Sequence, residues 1–99
     1  MAHITVDREK IAAFCRKWGI KELSLFGSVL RNDFRPDSDV DVLVVYDAEA
    51  KRNLHAYVQA VAELEQLFDR EVDLVEKSAL RNPFRRQHIL NNREVIYAP

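Results

Sequence analysis

The stretch that decides the fold is LFGSVLRNDFRPDSDVDVLVV, residues 25–45. It opens on the apolar end of a predicted strand, which stops abruptly at Gly27-Ser28, where we expect the chain to turn into a short helix. Residues 32–38 are rich in the Asn, Asp, Pro and Ser residues that favour turns. The apolar, largely β-branched run at residues 40–45 is typical of a central strand that is covered on both faces.

Patterns of apolar residues on both sides of this stretch predict the remaining helices and strands. In chain order we expect helices at residues 8–18, 54–68 and 84–90 and strands at residues 23–26, 40–45, 71–75 and 94–97, the last at an edge of the sheet. This order predicts a single α/β (α+β) domain over residues 1–99, in which helices cover a small mixed sheet. It leaves the order of the strands open.

The composition fits one soluble globular domain. Of the 99 residues, 47% are hydrophobic and 31% are charged, and no apolar run approaches the roughly 20 residues that span a bilayer. The N-terminus lacks the basic and apolar regions of a signal peptide, so we expect a cytoplasmic protein without membrane contact. The net charge of −1 argues against direct binding of duplex nucleic acid. Cys15 falls on the apolar stripe of the first helix and is expected in the core.

Two aspartates at the start of the central strand are candidates for metal binding. Asp39 and Asp41 lie two residues apart, so the alternation of a strand points both carboxylates to the same side. An aspartate in an apolar strand is costly to bury unless a partner compensates its charge, and Mg²⁺, which prefers oxygen ligands, is such a partner. Asp73 stands in another apolar strand and could join the same site if the two strands are neighbours. Three carboxylates around two Mg²⁺ ions would support in-line phosphoryl transfer, with Asp73 on the acceptor side.

Gly27-Ser28 is a candidate phosphate-binding turn. A strand that ends where a helix begins presents backbone N–H groups and a helix dipole to anions. Glycine has no β-carbon to obstruct a phosphate, the Ser28 hydroxyl can donate a hydrogen bond, and Arg31 lies within reach of a triphosphate. A Gly-Ser pair alone is a weak signal, because turns use both residues routinely. Its combination with Asp-x-Asp after ten intervening residues, at the ends of two predicted strands, is far more specific.

Residues 27–31 (GSVLR) and 37–41 (DSDVD) together resemble the signature of the polymerase-β-type nucleotidyltransferase superfamily, and more closely that of its minimal nucleotidyltransferase branch. The resemblance covers nearly the whole chain and implies a polymerase-β-like nucleotidyltransferase fold. One position departs from the family pattern, because Asn32 stands where many members have glycine. Asparagine tolerates a left-handed backbone best after glycine, so we expect the turn to be kept, with nucleotide affinity as the property in question.

The resemblance also implies roles for individual residues. The residues expected to bind Mg²⁺ and to act in catalysis are Asp39, Asp41 and Asp73. The residues expected to bind the nucleotide are Gly27, Ser28, Arg31 and Ser38.

The function implied by the resemblance is metal-dependent transfer of AMP from ATP to a hydroxyl acceptor. A chain of 99 residues has no room for a separate acceptor domain. Stand-alone members of this branch resemble the antitoxins of systems whose toxin is a HEPN-domain protein, and such an antitoxin can adenylylate a tyrosine of its toxin. Two alternatives stay open: a non-catalytic module that neutralises a HEPN partner by complex formation, and a nucleotide-sensing regulatory domain that would not need Asp73.

Other residues with chemical potential are assigned to structure. The three histidines, His3, His55 and His88, show no metal-ligand spacing and are expected at the surface or in caps. The aromatic residues at helical spacing, Phe14, Trp18 and Tyr57, are expected to pack in the core rather than to stack on a base. The C-terminal arginines, Arg81, Arg85, Arg86 and Arg93, form either a solvated helix face or a contact with RNA or a partner.

Overall fold

The computed structural model describes residues 4–32, 34–35, 37–50 and 53–99. Its elements, in chain order, are α1 (Arg8–Trp18), β1 (Ile20–Phe26), a 3₁₀ helix (Gly27–Leu30), β2 (Val40–Tyr46), α2 (Leu54–Phe68), β3 (Val72–Glu76), a second 3₁₀ helix (Lys77–Ala79), α3 (Pro83–Asn91) and β4 (Arg93–Tyr97). The predicted type and order of every helix and strand are therefore confirmed. His3, for which a surface position was predicted, lies outside the described residues.

Side chains and glycine define the ends of the helices. Asp7 caps α1, since its carboxylate accepts hydrogen bonds from the backbone N–H groups of Glu9 and Lys10 at 3.1 and 3.2 Å. Gly19 ends α1 in the left-handed conformation, with φ of 68°. Asn82 caps α3 in the same way as Asp7 caps α1. The first strand was predicted three residues too short, because Ile20 already pairs with Tyr46 directly after the Gly19 stop.

The sheet has four strands in the order β3-β2-β1-β4, an order that the sequence left open. β1 runs antiparallel to both β2 and β4, whereas β2 and β3 are parallel. β4 is an edge strand, as predicted, and β2 is central, as its apolar sequence indicated. Because β1 and β2 are antiparallel, the C-terminal end of β1 lies beside the N-terminal ends of β2 and β3.

Helices cover both faces of the sheet. On one face α1 and α2 enclose the main core, in which Val40, Val42 and Val44 of β2 are fully buried. On the other face a smaller cluster joins Leu43 of β2 to Ile89 of α3. Successive side chains of a strand point to opposite faces. Asp41 therefore projects to the face that α3 covers.

Cys15 and Phe14 are buried in the main core, as predicted, and burial raises the pKa of the Cys15 thiol to about 12. The first turns of α2 differ from the prediction. Leu54 and Tyr57 are 78% and 43% exposed, and the core contacts of α2 come from its later turns. Tyr57 stands at the rim, where its hydroxyl donates a hydrogen bond to the Leu74 carbonyl at 3.3 Å.

No helix in the described part of the chain is both long enough and apolar enough to span a membrane.

Candidate active site

Two of the predicted acidic residues are direct neighbours in the sheet. Asp41 of β2 pairs in register with Asp73 of β3, within a parallel ladder that begins at Val40 and Val72. The adjacency that the sequence could only assume is therefore present. Both side chains project to the same face, because cross-strand partners share a face of the sheet.

Asp39 lies one residue before β2 and is exposed. Its separation of two residues from Asp41 directs both carboxylates toward the same side if the extended backbone continues. The Coulombic influence of Asp39 on Asp41 shows that the two carboxylates are close enough to repel each other.

The glycine turn lies against these acids. Gly27 follows Phe26, which is the β1 partner of Asp41. A β-carbon added at Gly27 would collide with the Asp41 carboxylate, and it would lie 3.2 Å from the Asp41 Cγ atom. Gly27 also has φ of 75°, a backbone conformation that L side chains rarely adopt. The Asp41 side chain is therefore what a β-carbon at Gly27 would meet, and the predicted contact of Gly27 with a phosphate stays a prediction.

The electrostatic surroundings of Asp41 disfavour its charge. Burial raises the pKa of Asp41 above its ordinary value, and the negative charges of Asp73 and Asp39 raise it further. The positive charges of Arg31 and Arg85 act in the opposite direction but do not cancel this effect. A half-buried carboxylate beside two others is a site at which a bound cation would be stabilised.

The donor set suits a hard divalent cation, since carboxylate oxygens are the ligands that Mg²⁺ prefers. Among the described residues no group of three or more His, Cys, Asp and Glu side chains is already arranged as a metal cage. The chemical fit rests on the clustered carboxylates and on the raised pKa of Asp41, which a divalent cation would lower. The assignment of Asp39, Asp41 and Asp73 as the ligands of such a cation stays a prediction.

Ser28 lies in the 3₁₀ helix and is half-buried beside Gly27. Its carbonyl accepts a hydrogen bond from the Arg31 backbone N–H at 2.9 Å, which closes the turn, and the charge of Arg31 acts on Asp41. Asn32 does not use the left-handed conformation that was considered for it, because Asp69 is the only non-glycine residue with positive φ in the described part of the chain. The replacement of the family glycine therefore causes no backbone strain at this position.

Ser38, predicted to contact the nucleotide, has a structural task in the loop before β2. Its hydroxyl accepts a hydrogen bond from the Arg35 backbone N–H at 3.1 Å, and its own N–H donates to the Arg35 carbonyl at 3.0 Å. The nucleotide-binding role of Ser38 stays a prediction.

The arginines near the C-terminus separate into different roles. Arg85 of α3 lies within electrostatic reach of Asp41, so α3 brings a cation to the acidic cluster. Arg93 instead forms an ion pair with Glu22 and is tied to the sheet. From the sequence alone, Arg85 could not be distinguished from the other arginines near the C-terminus. The packing of α3 on the face of β2 that carries Asp41 is what identifies Arg85, and the sequence does not show that packing.

A mixed four-stranded sheet that unites a glycine turn with two acidic strand ends is the architecture of a minimal, polymerase-β-like nucleotidyltransferase. The family model of the nucleotidyltransferase domain matches residues 8–96, and the chain belongs to this family.

Relatives at moderate identity have names that specify an activity. The protein adenylyltransferase MntA of Thermococcus cleftensis is 37% identical over 81 residues, which cover 82% of this chain and 77% of the relative. A protein of Methanocaldococcus jannaschii, provisionally named a protein adenylyltransferase, is 36% identical over 89 residues, which cover 90% of this chain and 92% of the relative.

Solved structures share the fold. A structure provisionally described as a minimal nucleotidyltransferase matches with a TM-score of 0.71 at 32% identity, over 87% of this chain and 85% of that chain. A toxin–antitoxin structure with AMP-PNP has a TM-score of 0.73 at 20% identity, over 95% and 75% of the two chains. A complex of tri-AMPylated Shewanella oneidensis HEPN toxin with MNT antitoxin has a TM-score of 0.64 at 19% identity, over 93% and 70%.

Proposed function

We propose that this nucleotidyltransferase transfers AMP from ATP to a tyrosine hydroxyl of a HEPN-domain toxin and thereby acts as an antitoxin. The names of the relatives support an adenylyltransferase that acts on protein. The solved complexes of similar fold contain AMP-PNP in one case and an AMPylated HEPN toxin in another. Because the substrate is ATP, the proposal places the protein in the cytoplasm.

The single observation that carries the proposal is the register pairing of Asp41 with Asp73 beside Gly27. A binding module has no need of two carboxylates that face each other at adjacent strand positions, since their repulsion disfavours the folded state. A nucleotidyltransferase needs such a cluster to hold cations.

The aspartates and the glycine turn have different tasks in the proposed function. Asp39, Asp41 and Asp73 would hold Mg²⁺, as two ions, which would neutralise charge on the reacting phosphate and favour attack by the acceptor oxygen. The Gly27-Ser28 turn binds the phosphates through backbone N–H groups and the Ser28 hydroxyl.

Two arginines and one aspartate complete the proposed mechanism. Arg31 and Arg85, the cations that act on Asp41, attract the triphosphate to the acidic cluster. Asp73 is exposed, so it is open to the acceptor and can take the proton of the attacking hydroxyl. The acceptor oxygen then bonds to the α-phosphorus, the bond to the β-phosphate oxygen breaks, and pyrophosphate leaves.

The variant Asp73→Asn tests this function. We expect it to bind ATP through the turn and through Asp39 and Asp41, yet to fail in transfer, because it loses an oxygen ligand and the proton acceptor. The measurement is mass spectrometry of a co-expressed HEPN-domain partner, with a search for added AMP on tyrosine. Asp47→Asn is the matched control, since Asp47 is an exposed aspartate directly after the opposite end of β2.

The same experiment tests the alternative of a non-catalytic binding module. In that case neither the original chain nor Asp73→Asn would add AMP, and both would neutralise the partner fully. That result would replace the enzymatic function by complex formation.

A further inference from the structure

We propose that Arg70 is a positioning residue that holds the loop before β2 and so places Asp39 for cation binding. The inference rests on the proposed function, because it explains how one of the proposed ligands reaches its position.

Asp39 needs such support because strand pairing does not reach it. The β2–β3 ladder begins at Val40, which pairs with Val72, and the Val40 N–H donates to the Glu71 carbonyl at 2.9 Å. Asp39 stands one residue outside this ladder and is exposed. The ladder holds Asp39 only on its C-terminal side, so the position of its carboxylate also depends on the loop that precedes it.

Arg70 contacts that loop at three points. One guanidinium nitrogen donates hydrogen bonds to the Arg35 carbonyl at 2.7 Å and to the Ser38 carbonyl at 3.5 Å. The guanidinium group also lies over the Phe34 ring, 4.3 Å from its centroid, at a distance typical of a cation–π contact. The two carbonyls belong to the first and last residues of a turn, and Ser38 is bonded covalently to Asp39.

Two hydrogen bonds between Arg35 and Ser38 close the turn. The Arg35 N–H donates to the Ser38 hydroxyl at 3.1 Å, and the Ser38 N–H donates to the Arg35 carbonyl at 3.0 Å. These bonds define the shape of the turn but do not attach it to the sheet. Among the described contacts, those of Arg70 attach the turn to the segment that leads into β3.

Arg70 is itself held in place by the end of α2. Asp69 ends the helix in the left-handed conformation, with φ of 54°, and the Arg70 N–H donates to the Glu65 carbonyl at 3.3 Å. The Glu65 carboxylate accepts a hydrogen bond from the Val72 N–H at 3.1 Å. The end of α2 and the start of β3 thus form a fixed frame. Arg70 connects this frame, which also leads to Asp73, with the loop that leads to Asp39.

The experiment measures ATP binding by calorimetry with Mg²⁺ and, separately, in EDTA. Arg70→Ala should weaken the Mg²⁺-dependent affinity roughly 10–100-fold, the usual effect of removing a residue that orients a metal ligand. Binding in EDTA should change little, and Arg70→Lys should recover part of the loss. Lys17→Ala is the matched control, since Lys17 also forms a hydrogen-bonded ion pair, with Glu63 at 2.8 Å, and a cation–π contact with Trp18.

A double-mutant cycle separates positioning from a general effect on the fold. If Arg70 acts through Asp39, Arg70→Ala should have no further effect on Mg²⁺-dependent binding in an Asp39→Asn background. Full additivity of the two substitutions would overturn the inference. Hydrogen exchange gives a second reading, because Arg70→Ala should accelerate exchange of the Ser38 amide, and unchanged exchange there would also overturn the inference.

Failure of the proposed function has a different signature. If the original chain bound ATP equally well with Mg²⁺ and in EDTA, the metal site would be refuted, and the positioning of Asp39 as a ligand would fall with it. If Mg²⁺-dependent binding were intact in the original chain and in Arg70→Ala alike, the metal site would stand and the role of Arg70 alone would be refuted.

Discussion

Gly27 occupies a position from which two independent constraints exclude a side chain. Its φ of 75° lies in the left-handed region, and a β-carbon would collide with the Asp41 carboxylate. The backbone conformation affects the free energy of unfolding, whereas the contact with Asp41 affects the geometry of the acidic cluster. A substitution at Gly27 should therefore affect folding and cation binding separately, and the two effects can be measured apart.

We predict that Gly27→Ala abolishes Mg²⁺-dependent ATP binding in a chain that still folds, because the new methyl group displaces the Asp41 carboxylate. The backbone strain should lower the free energy of unfolding by about 1–3 kcal/mol. Gly19→Ala is a matched control. Gly19 has φ of 68°, and an added β-carbon would lie 2.9 Å from the Ala50 side chain. Gly19 precedes β1, whereas Gly27 follows it, so the control lies at the opposite end of that strand. Calorimetry and thermal unfolding of both variants decide the matter, and ATP binding by folded Gly27→Ala would contradict the prediction.

Asp41 should make the protein less stable when it is ionised. Its pKa is raised in the folded state from the ordinary value of 3.8, by burial and by the charges of Asp73 and Asp39. The folded state therefore binds this proton more tightly than the unfolded state does. The resulting destabilisation is complete above the raised pKa, and it disappears as the pH falls through that pKa toward 3.8.

We predict that Asp41→Asn raises the melting temperature at neutral pH without metal, by an amount on the order of a few degrees. Asparagine resembles the protonated carboxyl group, so the advantage should vanish in acid. Thermal unfolding across the pH range measures it, with Asp47→Asn as the control at the other end of β2. A variant that is less stable than the original chain at neutral pH would show that Asp41 is stabilised by a partner instead.

At the scale of elements, α3 contributes positive charge to the site. Residues 77–93 contain five Lys and Arg side chains and no Asp or Glu, although the whole chain has a net charge of −1. Ile89 fastens α3 to the sheet face on which Asp41 lies, through contacts with the cluster that includes Phe26 and Leu43. Through Arg85 the helix thus places a cation within electrostatic reach of Asp41, where an anionic nucleotide would enter.

We predict that Arg85→Gln raises the pKa of Asp41 further and weakens ATP binding. The reason is that Arg85 is one of the two charges that lower this pKa. Arg86→Gln is the matched control, because it removes the same charge from the next position of α3. Carboxyl NMR titration of Asp41 in both variants measures the shift, and equal shifts would show that the general charge of α3, rather than Arg85, is responsible.

Local patterns predicted the elements because capping residues, glycine stops and apolar spacing act over a few residues. Asp7, Gly19 and Asn82 perform the tasks that their positions indicated. Spacing alone could not tell how much of a helix the sheet covers. Leu54 and Tyr57 follow the apolar stripe of α2 but stand at its exposed start.

The candidate site also has parts that the sequence predicts and parts that it does not. The Gly-Ser turn and the Asp-x-Asp pair are local motifs, so both can be recognised in the sequence. The pairing of Asp41 with Asp73 depends on the parallel contact of strands that α2 separates, so the sequence supported it only as an assumption. Nothing in the sequence singled out Arg70, because its proposed role depends on contacts with residues more than 30 positions away.

At the scale of the molecule, the strand order concentrates the chemistry at one end of the sheet. The end of β1 and the starts of β2 and β3 meet there, while the cores on both faces lie behind them. The acidic cluster is therefore built on strand ends rather than on a separate domain. A ligand that binds this cluster should stabilise the entire fold, because the strands that carry the cluster are also those that hold the core together.

We predict that Mg²⁺ and ATP together raise the melting temperature of the chain, whereas ATP in EDTA does so much less. A ligand at 100 times its Kd stabilises the folded state by about 2.7 kcal/mol. For a domain of about 100 residues this corresponds to a rise of roughly 10–20 °C. The double variant Asp39→Asn/Asp41→Asn should lose the effect of Mg²⁺, whereas Asp47→Asn, with its substitution after the other end of β2, should keep it. Thermal unfolding with increasing ATP, with Mg²⁺ or with EDTA, measures both. An identical rise in the double variant and the original chain would place the nucleotide away from these aspartates.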